Sequence, residues 1–213
     1  MNAQIDISTV VLQTKRLTLR PWQETDLQDF YAYASVDGVG QMAGWAPHKD
    51  IEESRRILLH FIENKKTFAL EYQGKVIGSL GIERYNEAYY PELAGMHGRE
   101  IGYVLSKAYW GQGLMPEAVQ AVMGYLFETV KLDFILVGHF DWNRQSARVI
   151  ENAASGTAKA IRIRPSVAMW KRRRTASSTA ANIWMGRSGN GFGLYIKTSP
   201  STLYYRDVFS IQI

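Results

Sequence analysis

Two glycines spaced one residue apart, Gly111 and Gly113, stand between a run of strand-forming residues and a helical pattern, and the chemistry they offer is anion capture. Residues 100–118 read as a buried strand, a tight loop and a helix. The helix carries apolar residues at Leu114, Ala118, Ala121, Val122, Tyr125 and Leu126 on one face. A strand that feeds a glycine loop into a helix N-terminus gathers unpaired N–H groups at one point, and the helix dipole adds partial positive charge there. A diphosphate suits such a nest. Without a Cβ, phosphate oxygens can approach the backbone and φ can be positive. Pro116 falls in the first helical turn, where a missing N–H costs nothing. The spacing is neither the six-residue dinucleotide fingerprint nor a loop ending in Gly-Lys-Ser/Thr. Alone, Gly-x-Gly is more often a plain helix-start turn.

Other side chains offer less. There is no cysteine, which excludes a thiolate nucleophile, disulfides and thiolate zinc sites. His48, His60, His97 and His139 are scattered without ligand spacing, so no metal is expected. Glu100 immediately precedes the central strand, a position as suited to a solvated charge as to a base. Glu117 lies one turn into the helix, where a carboxylate favours the dipole. Asn143 and Ser146 are one helical turn apart and share a face. A helix cap and a surface hydroxyl would look the same.

The segment Tyr109-Trp-Gly-Gln-Gly-Leu-Met-Pro-Glu-Ala118 resembles the acetyl-coenzyme A loop of the GNAT acetyltransferase superfamily, in its ribosomal-protein alanine/serine N-acetyltransferase branch. Asn143-Arg-Gln-Ser-Ala-Arg-Val-Ile-Glu151 resembles that branch's Asn-x-x-Ser segment, and Leu12-Gln-Thr-Lys-Arg-Leu-Thr-Leu-Arg20 its first strand. The three motifs stand in order and span roughly residues 10–151.

This resemblance implies acetyl transfer from acetyl-coenzyme A to a primary amine by direct attack in a ternary complex. Such a reaction needs a neutral amine, a held thioester, a donor for the oxyanion and a proton for the leaving thiolate. It implies that Trp110, Gly111, Gln112, Gly113, Leu114 and Met115 bind the pyrophosphate. The strand carrying Ile101, Tyr103, Val104 and Leu105 lies beside the pantetheine arm, its backbone binding the amides. Asn143 contacts the cofactor, Ser146 gives the sulfur its proton, and Glu100 acts as general base, directly or through water. Many relatives place a tyrosine where Ile150 stands, so acid catalysis at that position is excluded and Ser146 gains weight. Arg144 and Arg148 are either phosphate partners or solvated helix charges. Trp22, Trp45, Tyr85, Tyr89 and Tyr90 either line an acceptor cleft or simply pack. The acceptor stays open between a protein N-terminus and a small molecule such as a polyamine or aminoglycoside.

The elements that must position these groups are legible in outline. Val10 to Leu12 and Leu17 to Leu19 alternate as a half-buried first strand. Thr25 offers an N-cap before a helix with Leu27, Phe30, Tyr31 and Ala34, and Asp50 caps a second helix striped with Ile51, Ile57, Leu58, Phe61 and Ile62. Residues 68–72 and 76–82 are strands joined by a hairpin at Gln73-Gly74-Lys75. Another strand spans 134–140. The expected fold is α/β: a GNAT-type twisted, mixed, mostly antiparallel sheet flanked by helices and splayed near the central strand.

Charge divides the chain. Residues 1–151 hold 15 Lys/Arg and 19 Asp/Glu, whereas residues 152–213 hold 10 basic residues and one acid, Asp207. No run of 18 apolar residues and no charged-then-apolar leader occurs, so no membrane partner and a cytoplasmic location are expected. After Glu151 the sequence turns small, polar and basic, where the resembled branch carries Glu-Lys-x-Gly-Phe and two more strands. Codons for Asn152-Ala-Ala-Ser155 can hold Cys-Gly-Phe in another frame, so loss of one nucleotide accounts for the departure. The expected organisation is therefore a core at 1–151 lacking its last two strands, and a poorly ordered basic tail at 152–213. That tail leaves two further readings: an acetyl-coenzyme A-binding remnant with impaired catalysis, and a nucleic-acid binder through the basic block 171–174, against which a tail of such origin weighs. Oligomeric state is not legible.

Overall fold

The computed structural model describes residues 1–153, 158–164, 167–172, 183–188 and 191–196. A hairpin-rich sheet supplies the frame. Strands β1 (Leu12–Gln13), β2 (Thr18–Pro21), β3 (Thr67–Tyr72), β4 (Lys75–Glu83), β5 (Gly98–Leu105) and β6 (Phe134–Gly138) lie side by side in chain order. All of these pairs are antiparallel except β5 with β6. The β3–β4 connection is tight because Gln73 and Gly74 both take positive φ, 52° and 76°, as a two-residue hairpin turn demands.

Helices cover both faces. Helix α1 (Leu27–Ala34) and helix α2 (Ile51–Asn64) pack Phe30, Tyr33 and Leu58 against Ala69, Val76 and Val104 on one face. On the other, helix α3 (Leu114–Glu128) buries Leu114, Met115, Ala118, Val122 and Leu126 against Leu19, Leu80, Ile101 and Leu105. The buried face of α3 is wider than the sequence stripe, taking in Val119, Met123 and Phe127 and leaving Ala121 and Tyr125 half-buried. Helix α4 (Arg144–Ala153) lies beside α3, joined by Gln120 Nε2 donating to the Asn152 carbonyl at 3.3 Å.

Capping follows the sequence in one helix and departs from it in another. Asp50 accepts from the Glu53 N–H at 2.8 Å and starts α2. Thr25 does not cap α1. It sits inside a 3-10 turn at Glu24–Asp26, and Asp26 instead accepts from the Gln23 N–H at 2.8 Å while Arg20 grips both its oxygens. A buried carboxylate that gains a guanidinium outcompetes an exposed hydroxyl.

The sheet does not end at β6 as the sequence suggested. Strand β8 (Val167–Arg172) pairs antiparallel with β6, and strand β7 (Ala158–Arg164) pairs with β8 at the edge. Ala168 and Met169 are buried there. The free edge of β6 explains the addition: its unpaired N–H and C=O groups accept any extended segment of tolerable composition. Strands β9 (Ile183–Ser188) and β10 (Gly191–Ile196) form a separate antiparallel pair. The order expected of the rest of the tail concerns residues outside those described.

Candidate active site

The site originates in a mismatch between two strands. β5 pairs with β4 from Glu100 to Leu105, yet its parallel pairing with β6 stops at Ile101 opposite Val137. Among the described residues, 102–105 therefore have no strand partner on that side, and the sheet opens. A cleft of about 380 Å³ runs through the opening between Tyr103, Val104 and Leu105, the loop at 109–113, the start of α3 and the inner face of α4.

At one end is the glycine loop. Gly111 and Gly113 have φ of 76° and 74°, and Gly113 is the left-handed cap residue preceding α3. A Cβ placed on Gly111 would meet nothing within 4 Å, so open space lies over the loop. The N–H groups of residues 111–115 have no acceptor among the described residues, and they stand at the positive end of a 15-residue helix. This arrangement fits an anion of diphosphate size.

The loop is held from behind by Arg16 and Thr14, which carry no local signal, acting through Glu117. Arg16 donates from Nη1 to the Gln112 carbonyl at 2.8 Å and from Nε to Glu117 at 2.7 Å. Glu117 also accepts from the Thr14 hydroxyl at 2.6 Å and the Arg16 N–H at 2.8 Å. Burial pushes the Glu117 pKa up, but hydrogen bonds from Thr14 and Arg16 outweigh it and hold the carboxyl below its ordinary range. Trp110 turns its indole N–H to the Leu105 carbonyl at 2.8 Å, closing the strand-to-loop corner.

In the middle of the cleft two hydroxyls meet. Tyr103 Oη and Ser146 Oγ are 2.9 Å apart, one from β5 and one from α4. Burial pushes the Tyr103 phenol up to about 12, against the opposing effect of the Ser146 contact, so it stays protonated at neutral pH. Asn143 is buried and fully engaged: Oδ1 caps α4 by accepting from the Ser146 N–H at 3.0 Å, and Nδ2 donates to the Met42 carbonyl at 3.0 Å. It thereby fixes Ser146 and the loop that forms the far wall.

The cleft gathers Tyr103, Val104, Leu105, Trp110, Gly111, Gly113, Leu114, Met115, Asn143 and Ser146. It does not include Glu100, Ile101 or Gln112. Ile101 is 1% exposed and belongs to the core under α3, and the side chain of exposed Gln112 bonds back to the Ala108 carbonyl at 3.2 Å. Glu100 lies on the sheet face away from Tyr103, directly opposite Glu83 of β4. Burial, and then the Glu83 charge, raise its pKa. Of the two arginines, Arg148 lines the cleft and Arg144 does not. Val39, Met42 and Val149 complete the walls, and nothing in their local sequence marked them.

A second cavity of about 280 Å³ opens on the α1–α2 face of β5 and shares Val104 with the first. Trp45 lines it. The other aromatic candidates pack elsewhere: Trp22 against Phe30 and Phe61, Tyr85 and Tyr90 around Phe134, while Tyr89 is exposed.

Residues 16–154 match the Acetyltransferase (GNAT) domain family, and the chain belongs to that family. It is an acyltransferase, an N-acetyltransferase by class. It is 30% identical over 147 residues to the uncharacterized N-acetyltransferase YoaA of Bacillus subtilis (strain 168), covering 66% of this chain and 79% of that one. Its fold is similar to a GNAT-family acetyltransferase from Bacillus anthracis, with a TM-score of 0.62 and 21% identity over 76% of this chain and 95% of the other. It is also similar to RimL, a ribosomal L7/L12 α-N-protein acetyltransferase solved with coenzyme A, with a TM-score of 0.58 and 17% identity over 76% and 97%. Among the described residues no helix is long and apolar enough to cross a membrane.

Proposed function

We propose that the larger cleft binds acetyl-coenzyme A and that the enzyme transfers its acetyl group directly to a primary amine. The observation that carries this reading is the unpaired edge of β5 leading straight into five N–H groups without acceptors at residues 111–115. The co-substrate supplies an activated acyl group. The loop amides and the α3 dipole hold its diphosphate, and the free edge of residues 102–105 offers N–H and C=O groups to the amides of its arm. Ser146, set by Asn143 and by Tyr103, keeps a proton at the point where a thiolate departs. Trp110 and Leu105 shape the corner between arm and diphosphate. The resemblance implies Glu100 as the base, but its half-buried carboxyl lines neither cavity, so the group that takes the amine's proton is expected elsewhere in the site.

The resemblance of 109–118 and 143–151 to the ribosomal-protein branch, together with the likeness to RimL, favours the α-amine of a protein chain as acceptor over a small amine. Calorimetric titration with coenzyme A and a free-thiol assay with peptides and small amines test the reading. Binding is expected, with thiol release when a suitable amine is present. Binding without thiol release from any amine would leave only a carrier-binding remnant, and absent binding would remove the cleft assignment.

Residues 152–213 are, in this reading, a shifted-frame extension, and β7 and β8 are segments of it that pair onto the open edge of β6. The encoding nucleotides decide it: codons for Asn152-Ala-Ala-Ser155 that cannot yield Cys-Gly-Phe in another frame would end the idea.

A further inference from the structure

We propose that His48 takes the amine's proton in this reaction, and that the cavity beside it receives the acceptor as a compact primary amine on an apolar body. This rests on the transferase reading above and names the acceptor side of the same site.

His48 is 7% exposed, in the loop between α1 and α2. Its backbone N–H donates to the Ala34 carbonyl at 3.0 Å. Its Nδ1 lies 2.7 Å from Ser54 Oγ. Phe30 meets the ring edge-on at 5.2 Å and Trp45 lies 5.1 Å from it. The indole can lie there because Gly40 is bare: a Cβ at that position would come within 2.2 Å of Trp45 Cε3. An imidazole boxed in this way cannot turn, and its Nε2 has no hydrogen-bond partner among the described residues. In the tautomer whose Nδ1–H donates to Ser54, Nε2 carries the lone pair on a ring that lines the cavity. Burial lowers the ring's pKa, against the opposing charge of Glu53, so the neutral form is the resident one at neutral pH. Glu53 of α2 lines the cavity, Asp29 of α1 is bound to the Val76 N–H at 2.8 Å, Tyr33 of α1 is a buried phenol whose pKa that burial raises, β4 contributes the uncharged Ser79, and β5 carries Glu100 on the same face as Val104.

The cavity adjoins the chemistry because Val104 lines both it and the larger cleft. Its other walls, Phe30, Trp45, Ile57 and Phe61, are apolar, and its volume is about 280 Å³. A polyamine or an aminoglycoside would press charges or hydroxyls against these faces without partners. An aromatic or branched amine, or a chain whose first residue is apolar, fits. Glu53 and the face of Trp45 favour the ammonium on arrival.

The ammonium that arrives first gives one proton to water, so that the attacking species is the neutral amine. Its nitrogen then bonds to the acetyl carbon and the carbon–sulfur bond breaks. One nitrogen proton passes to His48 Nε2 and from there to water, while the thiolate takes a proton from the Ser146–Tyr103 pair, which is refilled from water.

The test compares His48→Gln, Ser54→Ala and Glu100→Gln with the wild type, using thiol release with phenylalaninamide and spermidine as acceptors and calorimetry with coenzyme A. The wild type should prefer phenylalaninamide, and its kcat/KM should rise with pH up to neutrality. His48→Gln should lower kcat by about 100-fold or more and abolish that rise, with coenzyme A affinity intact as proof of folding. Ser54→Ala, which frees the ring, should lower kcat less. A His48→Gln enzyme that keeps both kcat and the pH-dependent rise overturns the proposal, as does loss of the rise in Glu100→Gln alone or a preference for spermidine. A wild type that binds coenzyme A but releases no thiol with any amine fails the transferase reading itself, which is a different result.

Discussion

The two faces of β5 are built differently. Toward α3 and α4, Tyr103 and Leu105 look into a cleft whose floor, loop and roof come largely from the continuous segment 98–128, with α4 closing it. Toward α1 and α2, Val104 looks into a cavity assembled from Phe30, the loop at 45–48, Glu53, Ile57, Phe61 and Ser79, pieces that are distant in sequence. The first face presents backbone groups and so depends on chain conformation. The second presents side chains and so depends on packing. Damage to one face should therefore spare the other, and three measurements can break or sharpen that contrast.

The largest effect is expected from Gly111→Val. The new side chain enters the open space over the loop and occupies a φ of 76°. Strain of about 1–2 kcal/mol is tolerable to the fold. Losing two amide contacts to a charged group, each worth about 1.5 kcal/mol, lowers coenzyme A affinity on the order of 100-fold. Calorimetry reads the loss directly, and unchanged affinity would mean that the amides face something else. Packing around His48 should be untouched, as the near-ultraviolet signal of Trp45 would show.

A smaller and more selective effect belongs to Ser146→Ala. Removing the hydroxyl held by Tyr103 should lower kcat by roughly 30- to 100-fold and leave coenzyme A affinity within a factor of about two. Equal losses in affinity and turnover would instead make Ser146 a binding contact. The smallest effect concerns stability. Glu117→Gln removes a carboxylate that accepts from Thr14 and twice from Arg16, at a cost of about 1–3 kcal/mol near pH 7. Because the folded-state pKa lies below the ordinary value of 4.5, the wild type's advantage is complete above that value. It is lost as pH falls through the folded pKa, so the denaturation midpoints of the two proteins should converge only in acid.

Several parts of this molecule were legible before folding was considered. The strand, glycine loop and helix at 100–118 form one contiguous unit whose residues interact with near neighbours, so the element order there could be read from the sequence. Asp50 and the Gln73–Gly74 turn were equally local. Thr25 misled because an ion pair with Arg20, out of sight of a capping rule, handed the helix start to Asp26. Arg16 and Glu117, about a hundred residues apart, brace the loop through a contact that no local pattern encodes. Asn143 turned out to fix the geometry of Ser146 and of the wall at Met42, work visible only when both segments are in place. Lone His48 had no ligand spacing to recommend it, and its interest comes from Gly40, Trp45 and Ser54 converging on it.

The residue order by itself determined the element types, the hairpin, the glycine turn before α3 and the resemblance that the family match upheld, because these rest on backbone propensity and on side chains within a turn or two of each other. Tertiary structure alone decided where β5 parts from β6, which strand follows β6 at the sheet's edge, which side of β5 each carboxylate and hydroxyl faces, and which histidine is set into a cavity. Those outcomes depend on strand register and on packing between distant segments, where a shift of one residue turns every side chain to the opposite face.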